Sequence, residues 1–176
     1  TIEGPILKDK CSFIISGRRT YLDKVINVIS KQNLFPYYFY DLNAKVNYKL
    51  SDRDRLYLSS YFGRDVLSAS SSSSDSLNAG INSFVGNFTV TARWNHAYKN
   101  SKLFHNISLI QSNFKYDISG KVLSNSVLVT SKIQDLGVKA DYEYKPTVLH
   151  DLKFGALLIN HLFRPNVIST QGDISK

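Results

Sequence analysis

Between Tyr37 and Asp65 the chain reads YYFYDLNAKVNYKLSDRDRLYLSSYFGRD, and its apolar residues recur at every second position. Tyr38, Tyr40, Leu42, Ala44, Val46, Tyr48 and Leu50 share one register, while Asp41, Asn43, Lys45, Asn47 and Lys49 share the other. Side chains of a strand alternate between its two faces, so one face is aromatic and aliphatic and the other carries hydrogen-bonding groups. A helix, with its period of 3.6, would mix the two sets. After the polar turn Ser51-Asp52-Arg53-Asp54 the alternation resumes. Leu56, Leu58, Ser60 and Phe62 oppose Arg55, Tyr57, Ser59, Tyr61 and Asp65. The stretch predicts a long hairpin.

The same period recurs on either side. Cys11 to Tyr21 reads as a strand, with Ile14 interrupting its polar face. Residues 86 to 98 set Phe88, Val90, Ala92 and Trp94 against Thr89, Thr91, Arg93 and Asn95. A strand from Leu103 to Tyr116 has ambiguous facing, because Ile107/Leu109 and Ile110/Phe114 both claim the apolar side. From 130 to 144 the pattern is clean, with Leu136, Val138, Ala140, Tyr142 and Tyr144 opposing Asp135, Lys139, Asp141 and Glu143. A last strand is expected over Asp151 to Phe163, followed by a polar tail beyond Pro165. Leu22, Val25, Ile26 and Ile29 instead follow helical spacing, with Thr20 as N-cap and Asn33 and Pro36 as stops. Residues 1 to 10, punctuated by Gly4-Pro5, read as a connecting segment. The Ser-rich stretch 67 to 83 and the stretch from Asp117 to Leu128 read as long loops.

The predicted fold is all-β, an antiparallel up-and-down meander of about seven long strands. Its connections alternate: short near 51, 100 and 147, long near 20–36, 67–85, 117–129 and after 164. Bacterial transmembrane barrels have this asymmetry, and the strands reach the roughly 9–11 residues that cross a bilayer obliquely. Tyr37, Tyr38, Tyr40, Tyr48, Tyr142 and Tyr144 lie near strand ends, where an aromatic girdle would form. Alternation alone leaves inside and outside open. A soluble or surface-exposed all-β binding module would turn the polar face outward.

The net charge of +8 brings nucleic acid to mind, but the basic residues are scattered without a dense block, so no nucleic-acid partner is expected. The single cysteine, Cys11, allows no intrachain disulfide and no cysteine zinc site. His96, His105, His150 and His161 are dispersed without metal-ligand spacing, and nothing marks a catalytic constellation or a cofactor. No enzymatic activity is expected. No methionine occurs, which suggests a processed product or a cut piece of a longer chain.

The segments EGPILKDKCSFIISGRRTYLD, YYFYDLNAKVNYKLSDRDRLYLSSYFGRD, VTARWNHAYKNSKLFHN and HDLKFGALLINHLFRP resemble, in this order, barrel sections of TonB-dependent outer-membrane receptors. The nearest likeness is to the nutrient receptors related to starch-utilisation-system transporters. The resemblance implies that residues 1–176 are part of a larger barrel, about 22-stranded in that family, set in the outer membrane of a Gram-negative bacterium. It implies uptake of an oligosaccharide, peptide, iron chelate or vitamin, with a plug domain and the TonB complex acting through the full-length protein. Outer-membrane lipid is then one partner; the helical stripe at Leu22 either packs on neighbouring loops or offers a face to a surface lipoprotein. Asp41, Asn43, Lys45, Arg93, Asp141 and Glu143 become candidates for lumen-facing residues.

Overall fold

The computed structural model describes residues 1–30, 37–72, 78–99, 102–123 and 125–171. They form one eight-stranded antiparallel sheet whose spatial order is the sequence order, β1 to β8. The strands are β1 (Ile2–Leu7), β2 (Cys11–Arg19), β3 (Tyr37–Lys49), β4 (Asp54–Ser72), β5 (Asn78–Ala97), β6 (Leu103–Val122), β7 (Asn125–Thr147) and β8 (His150–Gln171). One helix, α1 (Leu22–Ser30), lies between β2 and β3. The meander is as the alternation predicts, with one strand more. β1 forms from the presumed connector, pairing Ile2 with Ile15 and Pro5 with Ser12. Pro5 is tolerated because β1 is an edge of this sheet, where a missing backbone donor need not break a ladder.

The central hairpin follows the expectation closely. Leu42 faces Phe62, Val46 faces Leu58 and Tyr48 faces Leu56. In its turn the Ser51 hydroxyl accepts from the backbone N–H of Arg53 (3.1 Å) and Asp54 (3.0 Å) and donates to the Asp54 carboxylate (2.7 Å). A hydroxyl that bonds the backbone two and three residues ahead is the reason serine starts such a turn.

Both presumed long loops are largely strand. β4 runs through Leu67, Ala69 and Ser71, which pair with Ser83, Ile81 and Ala79; residues 73–77 of the Ser-rich stretch lie outside the described residues. β6 runs through Gly120 to Val122, which pairs with Asn125. The tail expected after Pro165 is likewise strand as far as Gln171. These stretches are interrupted by serine, glycine and asparagine, although Ile118 and Val122 alternate with Asp117, Ser119 and Lys121, and their backbones are paired, because a ladder satisfies amide groups whatever side chains it bears. The asymmetry between the two ends therefore survives as strand length rather than loop length. β4 to β8 have 19 to 23 residues, about twice what an oblique bilayer crossing needs.

The β6–β7 turn holds Leu123 at φ 56°, in the left-handed region. Tight hairpin turns demand positive φ, and a leucine there costs on the order of 1–2 kcal/mol that glycine avoids. We expect Leu123→Gly to stabilise this hairpin by about 1 kcal/mol, measured as slower amide exchange at Lys121 to Ser126 in the intact protein.

Thr20 does not cap α1 as expected. Its hydroxyl accepts from the N–H of Phe39 (2.9 Å) and its own N–H donates to the Phe39 carbonyl (2.9 Å), so it prolongs the β2–β3 ladder. The Tyr21 carbonyl accepts the first helical bonds, from Lys24 and Val25. Asn33 and Pro36, the expected helix stops, fall outside the described residues. Leu22, Val25 and Ile29 remain exposed.

The sheet is a single layer. Among the described residues no hydrophobic side chain is buried. A water-soluble β domain stacks a second layer on its apolar face; here α1 is the only element among the described residues that lies off the sheet, touching β3 and tied to β2 by Asp23 and Arg19.

Candidate functional site

The two faces of the sheet are its functional surfaces, and the cross-strand register assigns every residue to one of them. One register row carries Phe13, Val46, Leu58, Ala92, Leu109, Val138 and Leu158 across seven strands without a polar break. These side chains are open to the surroundings: Leu58 is 53% exposed, Leu109 51% and Leu158 76%. The rows on either side widen it into a band. Toward the long strand ends it continues to Leu42, Phe62 and Phe88, and stops earlier on β6 and β7, at Leu109 and Leu136.

Toward the short turns the band ends in a ring cluster. Trp94 meets His105 edge-on (4.7 Å between ring centroids), His96 lies over His105 (5.5 Å), His105 reaches Tyr142 (5.6 Å), and Tyr142 stacks on Phe154 (5.4 Å). Asp54 closes the cluster, accepting from the Trp94 indole N–H (3.0 Å) with His96 Nδ1 at 2.6 Å. Of the expected girdle tyrosines, Tyr38, Tyr40, Tyr48, Tyr142 and Tyr144 share the band's face, and Tyr37, one residue out of step, lies on the other. The tryptophan and the two histidines belong to this girdle although the sequence did not group them. His96 and His105 are directly opposite in the β5–β6 register, a relation that eight residues of intervening chain conceal. Among the described residues no set of three or more His, Cys, Asp or Glu side chains is arranged to hold a metal.

All six candidate lumen residues fall on the opposite, polar face. The register sets Asp41 against Gly63, Asn43 against Tyr61, Lys45 against Ser59 and Arg93 against Tyr57 and Ser108. Asp141 and Glu143 face Asn106 and Phe104. They are not gathered at one point. Asp41 is ion-paired with Arg18, and Lys45 lies over the Tyr57 ring at 5.3 Å. Arg93 Nε donates to Ser108 Oγ (3.3 Å). Asp141 pairs with Lys139 (2.8 Å), and Glu143 with Lys145 (2.7 Å) and Lys153 (3.8 Å). A shallow concavity on this face is lined by Ser16, Asn43, Lys45, Ser59, Tyr61 and Thr89, all able to hydrogen-bond. In the turn at the short end, Lys49 donates to Asp52 (2.6 Å) and keeps that carboxyl below the usual carboxylate range.

The polar face is not polar throughout. Ile110 and Phe114 of β6, Ile133 of β7, and Leu157, Ile159 and Phe163 of β8 all lie on it. The ambiguous facing of β6 has its reason here: Ile107 and Leu109 belong to the band, and Ile110 and Phe114 to the other side.

A long meander with no buried apolar side chain among the described residues, an exposed apolar band and a largely hydrogen-bonding opposite face is a section of a β-barrel wall. No family model and no curated protein matches the chain. Among solved structures it is similar to the ferric yersiniabactin uptake receptor FyuA from Yersinia pestis, with a TM-score of 0.61 at 11% identity, over 93% of this chain and 31% of that one. At that identity the likeness is one of fold. The chain spans under a third of the receptor's length.

Proposed function

We propose that this chain is part of the barrel wall of a TonB-dependent outer-membrane receptor that imports a nutrient into the periplasm. The observation that carries the reading is the continuous exposed apolar band on a single-layer sheet in which no apolar side chain is buried among the described residues. Monomeric soluble proteins seldom expose contiguous apolar patches beyond a few hundred Å², whereas a barrel needs such a band wherever it meets hydrocarbon. The similarity to an uptake receptor supports the same reading.

On this reading residues 1–176 lie within a larger barrel, with Ser51 to Asp54 on the periplasmic side and the long strand ends outside. Asp41, Asn43, Lys45, Arg93, Asp141 and Glu143 face the lumen, where they solvate the wall or hydrogen-bond a plug domain. TonB and the plug act through the full-length protein. The nutrient falls among the classes such receptors import: oligosaccharide, peptide, iron chelate or vitamin. The starch-utilisation-like group, in which a surface lipoprotein covers the barrel, is the finer form of the proposal, and the exposed stripe of α1 is where such a partner would bind. Catalysis has no place in this role, and no cofactor is required.

The test is fractionation of cells expressing the full-length product of the reading frame that contains this chain. Recovery in the outer-membrane fraction, with heat-modifiable migration in detergent gels, is expected. Recovery in the soluble periplasm would sink the proposal.

A further inference from the structure

One row of the sheet carries five cations on the band's own face. The register links Arg19 of β2, Arg64 of β4, Lys115 of β6, Lys132 of β7 and Arg164 of β8. Three of them are direct neighbours: Lys115 pairs with Lys132, and Lys132 with Arg164. Like charges directly opposite each other in a ladder destabilise it, so three in succession need a counter-charge. The protein supplies little. Asp23 pairs with Arg19 (3.2 Å) and Asp117 with Lys115 (2.7 Å), and the row stays positive.

The position of the three neighbours is as informative as their charge. Lys132 and Tyr144 stand six residues on either side of Val138, and Arg164 and Leu152 six on either side of Leu158. Lys115 and Leu103 bracket Leu109 in the same way. An even offset keeps each cation on the face of the apolar row. Twelve strand residues span about 40 Å, and a barrel tilt of about 40° projects that to a height of about 30 Å, which is the thickness of a bilayer's hydrocarbon core. With the aromatic girdle at one boundary, the cations therefore stand at the other, at headgroup level. Between them and the aliphatic row, the Gln134 amide donates to Asn113 (2.8 Å), and Gln111 and Asn160 occupy the same-face row next to Leu109 and Leu158. Farther along the row, the Arg64 guanidinium lies over the Phe84 ring at 3.9 Å, a cation–π contact.

Building on the barrel reading, we propose that Lys115, Lys132 and Arg164 form an outward-facing site for the phosphate groups of an anionic membrane lipid, in the leaflet on the side of the long strand ends. Phosphate oxygens accept charge-assisted hydrogen bonds from ammonium and guanidinium groups and remove the repulsion within the row. The lipid thereby becomes part of what holds β6, β7 and β8 in register.

The experiment uses the intact receptor that contains this chain, fractionated first and then purified into phosphatidylcholine nanodiscs. Phosphatidylglycerol is titrated in, with inorganic phosphate as a parallel arm, and lipid affinity is read from the rise in unfolding midpoint. In the wild type, phosphatidylglycerol raises the midpoint and inorganic phosphate at equal concentration does not. The triple variant K115Q/K132Q/R164Q loses affinity on the order of a hundredfold. The charge-preserving triple K115R/K132R/R164K and the opposite-face variant K139Q keep it, which separates loss of charge from loss of fold. A receptor recovered in the outer membrane whose glutamine triple binds phosphatidylglycerol like wild type overturns the lipid site alone. Equal stabilisation by inorganic phosphate overturns the lipid as the occupant. Recovery of the wild type in the soluble periplasm overturns the barrel reading and this site with it.

Discussion

Replacing Leu109 with arginine is expected to destabilise the intact protein that contains this chain, in lipid vesicles, by about 2–4 kcal/mol, whereas Ser112→Arg changes stability by less than about 1 kcal/mol. The two positions are three residues apart on β6 and differ in the face they occupy. Leu109 lies in the unbroken apolar row, opposite Ala92 and Val138. At mid-bilayer depth an arginine there must either bring water into the hydrocarbon or stretch to a boundary. Ser112 lies on the polar face, opposite Thr89 and Asp135, and an arginine at 112 finds a carboxylate across the ladder. The measurement is denaturant unfolding from preformed vesicles. A soluble module with its polar face outward predicts no such difference in lipid, so equal costs at the two positions would exclude the membrane-facing assignment of the band.

How much of this was legible beforehand depends on what each segment has to bury. Where a strand has one apolar and one polar face, as in β3 and the first half of β4, the sequence states both the strand and its facing, and the structure keeps them. Past Leu67 and past Asp117 the sequence reads as loop because serine, glycine and asparagine break the pattern, and Ile118 and Val122 are too few apolar residues to mark a strand face. They pair nonetheless, Ser83 with Leu67 and Leu128 with Ser119. β1 was hidden for a different reason, since Gly4-Pro5 punctuates most chains but suits an edge strand. β8 carries apolar residues on both faces, Leu158 and Leu162 on one and Leu157 and Ile159 on the other, so periodicity could place it but not orient it.

Site geometry was less legible than fold, and register is the cause. The scattering of basic residues that argued against nucleic acid is real along the chain, yet Lys115, Lys132 and Arg164 become neighbours once β6, β7 and β8 are aligned. His96 and His105 meet in the same way. Alternation fixes which face a residue takes, and only the ladder fixes its height on that face. The six residues Asp41, Asn43, Lys45, Arg93, Asp141 and Glu143 illustrate the distinction: alternation puts them on one face, as the register does, but it could not reveal that Asp41 answers Arg18 while Glu143 answers Lys145.

The second large effect is expected at a residue with no side chain. Gly155 sits opposite Asp141 on the polar face, and a methyl group there would stand 2.6 Å from the Ala140 carbonyl oxygen and 3.0 Å from an Asp141 carboxylate oxygen. The obstructing atom is backbone, held by the β7–β8 ladder, so it cannot swing aside. Glycine within a strand marks this kind of close backbone approach. Gly155→Ala is expected to cost about 1–3 kcal/mol, as overpacking of a fixed environment does, and Gly155→Val more. At Gly63 the nearest atoms belong instead to the Tyr61 ring, the end of a side chain that can rotate, and Gly63→Ala should cost less than Gly155→Ala. Amide exchange separates the two. Gly155→Ala should accelerate exchange at Asp141 to Glu143 and Lys153 to Leu157, where β8 is forced away from β7, and leave the β3–β4 ladder protected. A Gly155→Ala protein with wild-type protection along β8 would mean that the wall yields at this point, and that the Asp141 and Glu143 carboxylates do not owe their places to the contact at Gly155.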